Sequence, residues 1–443
     1  MKNINYLEMI KKEVFNTLGC TDPVAIGLAV STAYHKINGN IKEIFVRLDN
    51  NLYKNAHSVG IPGTNKQGIE YGIALALVAG HPEKKLLLFE DLKPENIYKA
   101  TELIKKNIIT IVPDQKYKEI YIRAKVVTDL GKAEVKIKGT HDNIVEIKVN
   151  DEVCFESEKD KPLLSKEIQM GENLLTLTIP ECIKIVEDFP INELKFLEKG
   201  VEKNIKAAEY QLSNNDYQNK ISLTQAYKFL TSNKGNTNSL VTQAKKYVIA
   251  ATEARMSGKK VPIVGCFGSG NHGITFFVTM GIVSKHLNIS ESKLFRAMGL
   301  GLLIALMIKQ RTGLITPYCG CAIAIAPALA AAIVYLKIND GKIIESACNI
   351  VLSNIMGILC DGANIGCALK TGTSSGIAIE SAFLALHGVK INSFDGFIGN
   401  NFEETLHNIY LLTNKEIKES TDCTMVSILK KKRQLSMSYS KKL

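Results

Sequence analysis

ITPYCGCAIAIAPALAAAIVYL, residues 315–336, contains no Asp, Glu, Lys or Arg, and the same holds for VPIVGCFGSGNHGITFFVTMGIVS, residues 261–284. Both reach the roughly 20 residues that a membrane-spanning helix needs. Two folds follow from that. One is a membrane transporter whose Gly-interrupted half-helices meet at a midplane site. The other is a domain whose helices are apolar all round because they are buried on every side. The segments are rich in Ala, Gly and Thr rather than Leu, and they carry Pro317, Pro327 and His272. The mean hydropathy of the whole chain is only +0.03. Buried core helices are therefore expected, with no membrane partner.

Upstream of these stretches the pattern changes. Helical periodicity runs over 4–17, 23–37, 68–80 and 94–106, and two-residue alternation over IKEIFVRL (41–48), EIYIRAKVV (119–127), AEVKIKG (133–139) and NIVEIKV (143–149). The last three alternating runs follow one another across short turns, which predicts an antiparallel meander rather than a doubly wound parallel sheet. The fold class is thus α+β. A mixed α/β domain with antiparallel strands occupies 1–230, an all-α domain of buried apolar helices 231–429, and a basic tail 430–443. The polar stretch 213–237 marks the boundary. At 443 residues the chain exceeds the usual size of a single core.

The formal charge is +11, and Lys430, Lys431, Lys432, Arg433, Lys441 and Lys442 supply more than half of it. Such a tail reads as a frayed, solvated end. With no Trp, no aromatic-interleaved basic motif and no zinc-finger spacing, no nucleic-acid partner is expected. The first residues, MKNINYLEMIKKEVFNTLGC, carry charges throughout and read as an amphipathic helix, not a signal peptide. Ten cysteines in such a chain point to a reducing cytoplasm, where thiols pack, bind metals or catalyse.

Cys154, Cys182, Cys348 and Cys423 lack neighbours that would aim them at a ligand, and they read as small apolar groups. Cys20, Cys266, Cys321, Cys360 and Cys367 sit among Gly, Asp or Pro. In LCDGANIGCALK (359–370), a continuous helix would hold the Cα atoms of Cys360 and Cys367 about 10.5 Å apart. Gly362, Asn364 and Gly366 permit turned backbone, so the helix is expected to begin after them, with the loop folding the thiols together. The C-x6-C spacing is not a zinc signature. A cluster gathered from distant segments fits better, against the plain alternative of packed thiols.

In GCTDPVAIGLA (19–29), Thr21 or Asp22 can cap a helix with Pro23 in its first turn. Cys20 then lies at the positive end of a helix dipole, which favours the thiolate. The alternative is a tight turn that merely packs. GSGNHGI (268–274) and IPGTNKQG (61–68) offer backbone N–H cradles for an anion. Arg255 suits a carboxylate clamp or an ion pair with Glu253. His141 is either a proton carrier or a solvated turn residue.

GCTDP at 19–23, NLYKN at 51–55, IPGT at 61–64, ARM at 254–256, GSGNHGI at 268–274 and CDGANIGCALK at 360–370 resemble the L-cysteine desulfidase family, and more distantly the α chain of iron–sulfur L-serine dehydratases. The resemblance runs from about 20 to 375, with the motifs in family order. It implies a [4Fe–4S] enzyme that splits L-cysteine into pyruvate, sulfide and ammonia without pyridoxal phosphate. It further implies Cys321, Cys360 and Cys367 as cluster ligands and Cys20 as catalytic base. Alternatively Cys20 is a ligand and Cys367 structural. Arg255, Ser269, Asn271, Lys54, Asn55 and Thr64 are the implied contacts to a small amino-acid substrate. L-Serine is the alternative substrate, and a homo-oligomer stays open. Two departures stand out: His272 occupies a position where the family usually has Gln, and Cys319 competes with Cys321.

Overall fold

Strands form where the alternation is strictest. The computed structural model describes residues 5–117, 119–157, 177–214, 222–232, 239–393, 395–413 and 416–440. Strand β1 (Val14–Leu18) is followed by β2 (Ile41–Leu48), β3 (Ile109–Pro113), β4 (Tyr121–Thr128), β5 (Lys132–Lys138), β6 (Ile144–Val149), β7 (Glu152–Glu156) and, far along the chain, β8 (Pro262–Cys266). Six of them make one sheet in the order β3-β2-β4-β5-β6-β7. The expected meander is present as antiparallel β4-β5-β6, while β2 and β3 pair in parallel.

On one face of this sheet Val126, Val135 and Ile137 are buried against the helix Thr21–Ile37, on which the helix Ile69–Ala79 packs in turn. On the other face long polar side chains pair across strands, Arg123 with Glu134 at 2.6 Å and Lys136 with Glu146 at 2.8 Å. The two-residue period is what separates these faces.

The apolar stretches build the helical half. Every residue from Ala326 to Leu336 is buried, because the Ala326–Lys337 helix is enclosed by the helices Glu291–Thr312, Gly341–Ile355 and Cys367–Leu386. A charge on any side of it would be stranded without water. Neither uncharged stretch forms a single long helix. Residues 315–336 divide into an irregular entry, a π-turn at Cys321–Ile325 and the enclosed helix. Residues 261–284 divide into β8, a tight turn and a helix that contains a second π-turn at Ile274–Val278. Among the described residues no helix is long and apolar enough to cross a membrane, which removes the spans that the transporter alternative required.

The expected 4–17 helix is only partly realised. Tyr6–Glu13 is helical, but Val14–Leu18 leaves the helix to pair antiparallel with β8. Val14, Phe15 and Thr17 are good strand formers, and the partner strand, more than half the chain away, decides the outcome. The helix Glu416–Ser440 continues through the basic residues 430–440, where a frayed tail was expected, consistent with the high helix propensity of Leu, Lys, Arg and Gln. Val426 and Leu429 of that helix join the sheet-side core, while Leu7, Ile10 and Ile179–Leu197 contribute to the helical core. Of the polar stretch 213–237, residues 215–221 and 233–238 lie outside the described residues, and Leu223–Leu230 is a helix.

Candidate active site

The β1–β8 pairing brings Gly19 and Cys20, just after β1, beside the turn that follows β8. In that turn Cys266 and Ser269 exchange backbone hydrogen bonds at 3.2 and 3.1 Å. Phe267 (φ 47°) and Gly268 (φ 73°) both have left-handed backbone, the geometry of a type I′ turn. Such a conformation is strained for Phe267, and its buried ring holds it in place.

Arg255, at the end of the Leu240–Met256 helix, lies against this turn. Its Nε donates to the Gly19 carbonyl at 3.0 Å and its Nη1 to Asn271 Oδ1 at 2.8 Å. The side chain is 2% exposed, and among the described residues no carboxylate pairs with it. Glu253 instead accepts from the Leu223 and Thr224 backbone N–H groups at 2.9 Å each. A buried guanidinium without a counter-ion is a prepared anion site.

Cys20 is itself the N-cap of the Thr21–Ile37 helix, so Asp22, in the first turn, is released from capping. Asp22 accepts from Cys20 Sγ at 3.3 Å and from Asn55 Nδ2 at 3.2 Å, and its Oδ1 lies 3.4 Å from His141 Nε2. Burial alone would raise this carboxyl. The hydrogen bonds from His141, Asn55 and Cys20 outweigh it and hold Asp22 below its ordinary value. Cys20 moves the opposite way from the dipole expectation. Burial first, then the Asp22 charge, push the thiol far up, with Arg255 opposing. At rest Cys20 is a neutral donor.

The opposite wall carries the other thiols. Cys319 N–H donates to the Ile358 carbonyl at 2.7 Å and Cys360 N–H to the Pro317 carbonyl at 2.8 Å, which zips the Pro317–Cys321 segment to the Ile358–Cys360 segment. Gly362 turns the chain at φ 97°, and the helix Cys367–Leu386 begins after the glycines, as the loop composition predicts. Cys367 Sγ donates to the Gly362 carbonyl at 3.4 Å. The Cys321 side chain and the Cys321 and Ala322 N–H groups pull Cys319 down against burial, while Cys321 is driven up by Cys319 and by burial. Of this pair, Cys319 is the more thiolate-like.

Two further groups complete the cleft. His272 Nδ1 lies 3.2 Å from the carbonyls of both Cys266 and Phe267, so it carries the proton and leaves Nε2 as an acceptor. Burial first, then the Lys309 charge, hold this imidazole neutral. Lys309, also buried, donates to the Leu314 carbonyl at 3.0 Å, and burial brings it down to about 8 against the opposing thiols.

Cys20, Cys321, Cys360 and Cys367 therefore line one cleft of about 100 Å³, as do Arg255, Ser269, Asn271 and Asn55. Lys54 and Thr64 do not. Lys54 pairs with Asp422, and the Thr64 hydroxyl donates to the Ile61 carbonyl within its own turn at 2.9 Å. Sequence reasoning missed Asp22 as a hydrogen-bond hub and Lys309 altogether. The available signals were an acid two residues from a candidate base and a Lys that closes the apolar helical run 297–308.

Thiols drawn from separate segments and faced by buried cations suit a small anionic ligand. The model of the family described as serine dehydratase alpha chain matches residues 84–426. The chain belongs to that family. It is similar to a UPF0597 protein of Clostridium perfringens strain SM101, 34% identical over 432 residues that cover 97% of this chain and 98% of the relative. A UPF0597 protein of Caldanaerobacter subterraneus is 32% identical over 96% of this chain and 98% of its own length.

This family is associated with iron–sulfur chemistry, and the thiols that line the cleft are the candidate ligands. Among the described residues no three His, Cys, Asp or Glu side chains are spaced for a single metal ion. Soft thiols gathered from separate segments suit a cluster better. Lys309, which lines the cleft, would offset part of its negative charge, and Lys370, held by Asp361 and the Leu359 carbonyl, stands in the same loop-and-helix segment as Cys360 and Cys367.

Proposed function

We propose that the chain is a cytoplasmic L-cysteine desulfidase, independent of pyridoxal phosphate, with a [4Fe–4S] cluster held by Cys321, Cys360 and Cys367. The observation that carries this reading is that these three thiols share one cleft with Cys20 and with Arg255. When bound, the cluster would supply an iron free of protein ligands as a Lewis acid for the departing group. Residues 1–230 contribute the base and residues 231–429 the ligands.

Arg255 binds the substrate carboxylate, oriented by Gly19 and Asn271, with Ser269 and the N–H groups of the turn around it. Asp22 Oδ2 accepts the hydrogen bond of Cys20 Sγ and fixes the direction of the thiol, and the contacts from Asn55 and His141 keep that carboxylate aimed at it, while the thiol's proton is lost to water before the substrate fills the cleft. The Cys20 thiolate then removes the substrate's Cα proton. The Cβ–S bond breaks with its electron pair leaving on sulfur, and the aminoacrylate so formed takes up water to give pyruvate and ammonia. The cleft walls limit water at the thiol and strengthen each of these contacts.

The family description favours a second reading, dehydration of L-serine through the same residues. Anaerobic reconstitution with iron and sulfide, followed by an absorption spectrum and by measurement of sulfide and pyruvate from each amino acid, tests both. The proposal expects a coloured protein with a higher kcat/KM for L-cysteine. Pyruvate from L-serine alone selects the second reading, and a colourless protein that is fully active overturns both.

A further inference from the structure

The helix Glu416–Ser440 packs on the sheet side of the molecule and brings Asp422 against the short helix Asn50–Ala56. Asp422 Oδ1 accepts from Lys54 Nζ at 3.1 Å and Oδ2 from Asn51 Nδ2 at 3.0 Å. The Lys54 and Asp422 side chains are only 1% and 7% exposed. The Lys54 main chain meets the thiol loop directly. At Gly362, which has φ 97°, an added Cβ would lie 2.5 Å from the Lys54 carbonyl oxygen.

We propose that Asp422 is a positioning residue for the thiol loop 360–367 and acts on it through Lys54. A buried ammonium cannot stay where it is without its counter-charge. Without Asp422, Lys54 must leave the interior or turn to another acceptor. Either movement shifts the short helix Asn50–Ala56, whose backbone braces Gly362. The end of the chain thereby sets the geometry of the loop that carries Cys360 and Cys367. The consequence for catalysis rests on the desulfidase reading, whereas the positioning itself does not.

The test uses the full-length, metal-free protein without substrate, so that it succeeds or fails independently of the desulfidase assay. Iodoacetamide labelling in Asp422→Asn is followed thiol by thiol by peptide mass spectrometry. Cys182 and Cys348, buried in the helical core, serve as internal controls. Cys360 and Cys367 should label about tenfold faster than in the unaltered chain while the controls keep their rates, because loss of a buried partner acts locally first. Should Asp422→Asn fail to fold, Asn51→Ala keeps the ion pair and removes only the second donor. It should accelerate the same two thiols in the same direction but by less than Asp422→Asn does, because the ion pair that fixes Lys54 remains. Unchanged labelling of Cys360 and Cys367 in a folded variant, or an equal rise at all buried thiols, overturns the proposal.

Discussion

Gly270→Ala is the substitution on which local and tertiary reasoning disagree most. Gly270 begins a helix with ordinary helical backbone, so propensity alone favours Ala by about 1 kcal/mol. An added Cβ, however, would lie 2.4 Å from Arg255 Nε, 2.6 Å from its Cζ and 2.8 Å from Nη2. Restoring ordinary contact requires a movement of about 1 Å. That is enough to break the hydrogen bonds of 3.0 Å to Gly19 and 2.8 Å to Asn271. Hydrogen bonds to a charged group contribute about 1.5–3 kcal/mol each, so losing two removes about 3–6 kcal/mol. After the propensity gain, a net destabilisation of about 2–5 kcal/mol remains. With about 2.1 cal/mol/K of unfolding entropy per residue, a cooperative melt of this chain should shift down by about 2–5 °C. Calorimetry measures the shift, and steady-state kinetics should show kcat/KM for the amino-acid substrate lowered by at least about tenfold as the carboxylate clamp is displaced. A Gly270→Ala protein that melts at or above the parent temperature with unchanged KM would refute the placement of Arg255.

Cys20→Ser should abolish turnover while the iron–sulfur absorption of the reconstituted protein persists, and loss of the absorption as well would make Cys20 a ligand. Asp22→Asn tests the buried carboxylate through pH. Because the folded-state pKa of Asp22 is depressed, its ionised form stabilises the fold above about pH 4, and this contribution is lost as pH falls through the folded value. Urea unfolding should therefore find Asp22→Asn about 2–4 kcal/mol less stable at pH 7, with a flatter decline than the parent as pH falls below about 4. Equal stabilities at pH 7 would show that the hydrogen bonds to Asp22 contribute little. Gly362→Ala combines a left-handed φ of 97° with a Cβ 2.5 Å from the Lys54 carbonyl. It should destabilise the loop by at least about 1–3 kcal/mol, read as reduced iron content after reconstitution, and full iron loading would contradict the close approach.

Much of the fold was readable because it depends on local periods. The strands at 41–48, 121–128, 132–138 and 144–149 fall within two residues of the alternating runs, and the helix after Gly366 starts where the glycines allow it. The split of the 4–17 segment was not readable. Val14–Leu18 suits helix or strand by composition, and β8 resolves the choice. In the site, Cys20, Arg255 and the 360–367 loop announced themselves through turn residues and charge. His141 looked like a solvated turn residue because nothing near it in the chain shows that Asp22 will lie 3.4 Å away. Lys54 looked like a substrate contact, since its buried partner stands near the other end of the chain.

By itself the sequence determined the class of the fold, the burial of the uncharged helices and the set of thiols and cations that chemistry could use. These follow from side-chain period, hydrophobicity and turn chemistry, which act between near neighbours. Only the tertiary structure decided which thiols face one another, that Cys20 rests as a neutral donor to Asp22, and that Lys54 belongs to Asp422. Burial and Coulomb interaction depend on distance in space, and the residues concerned meet only after the chain has folded.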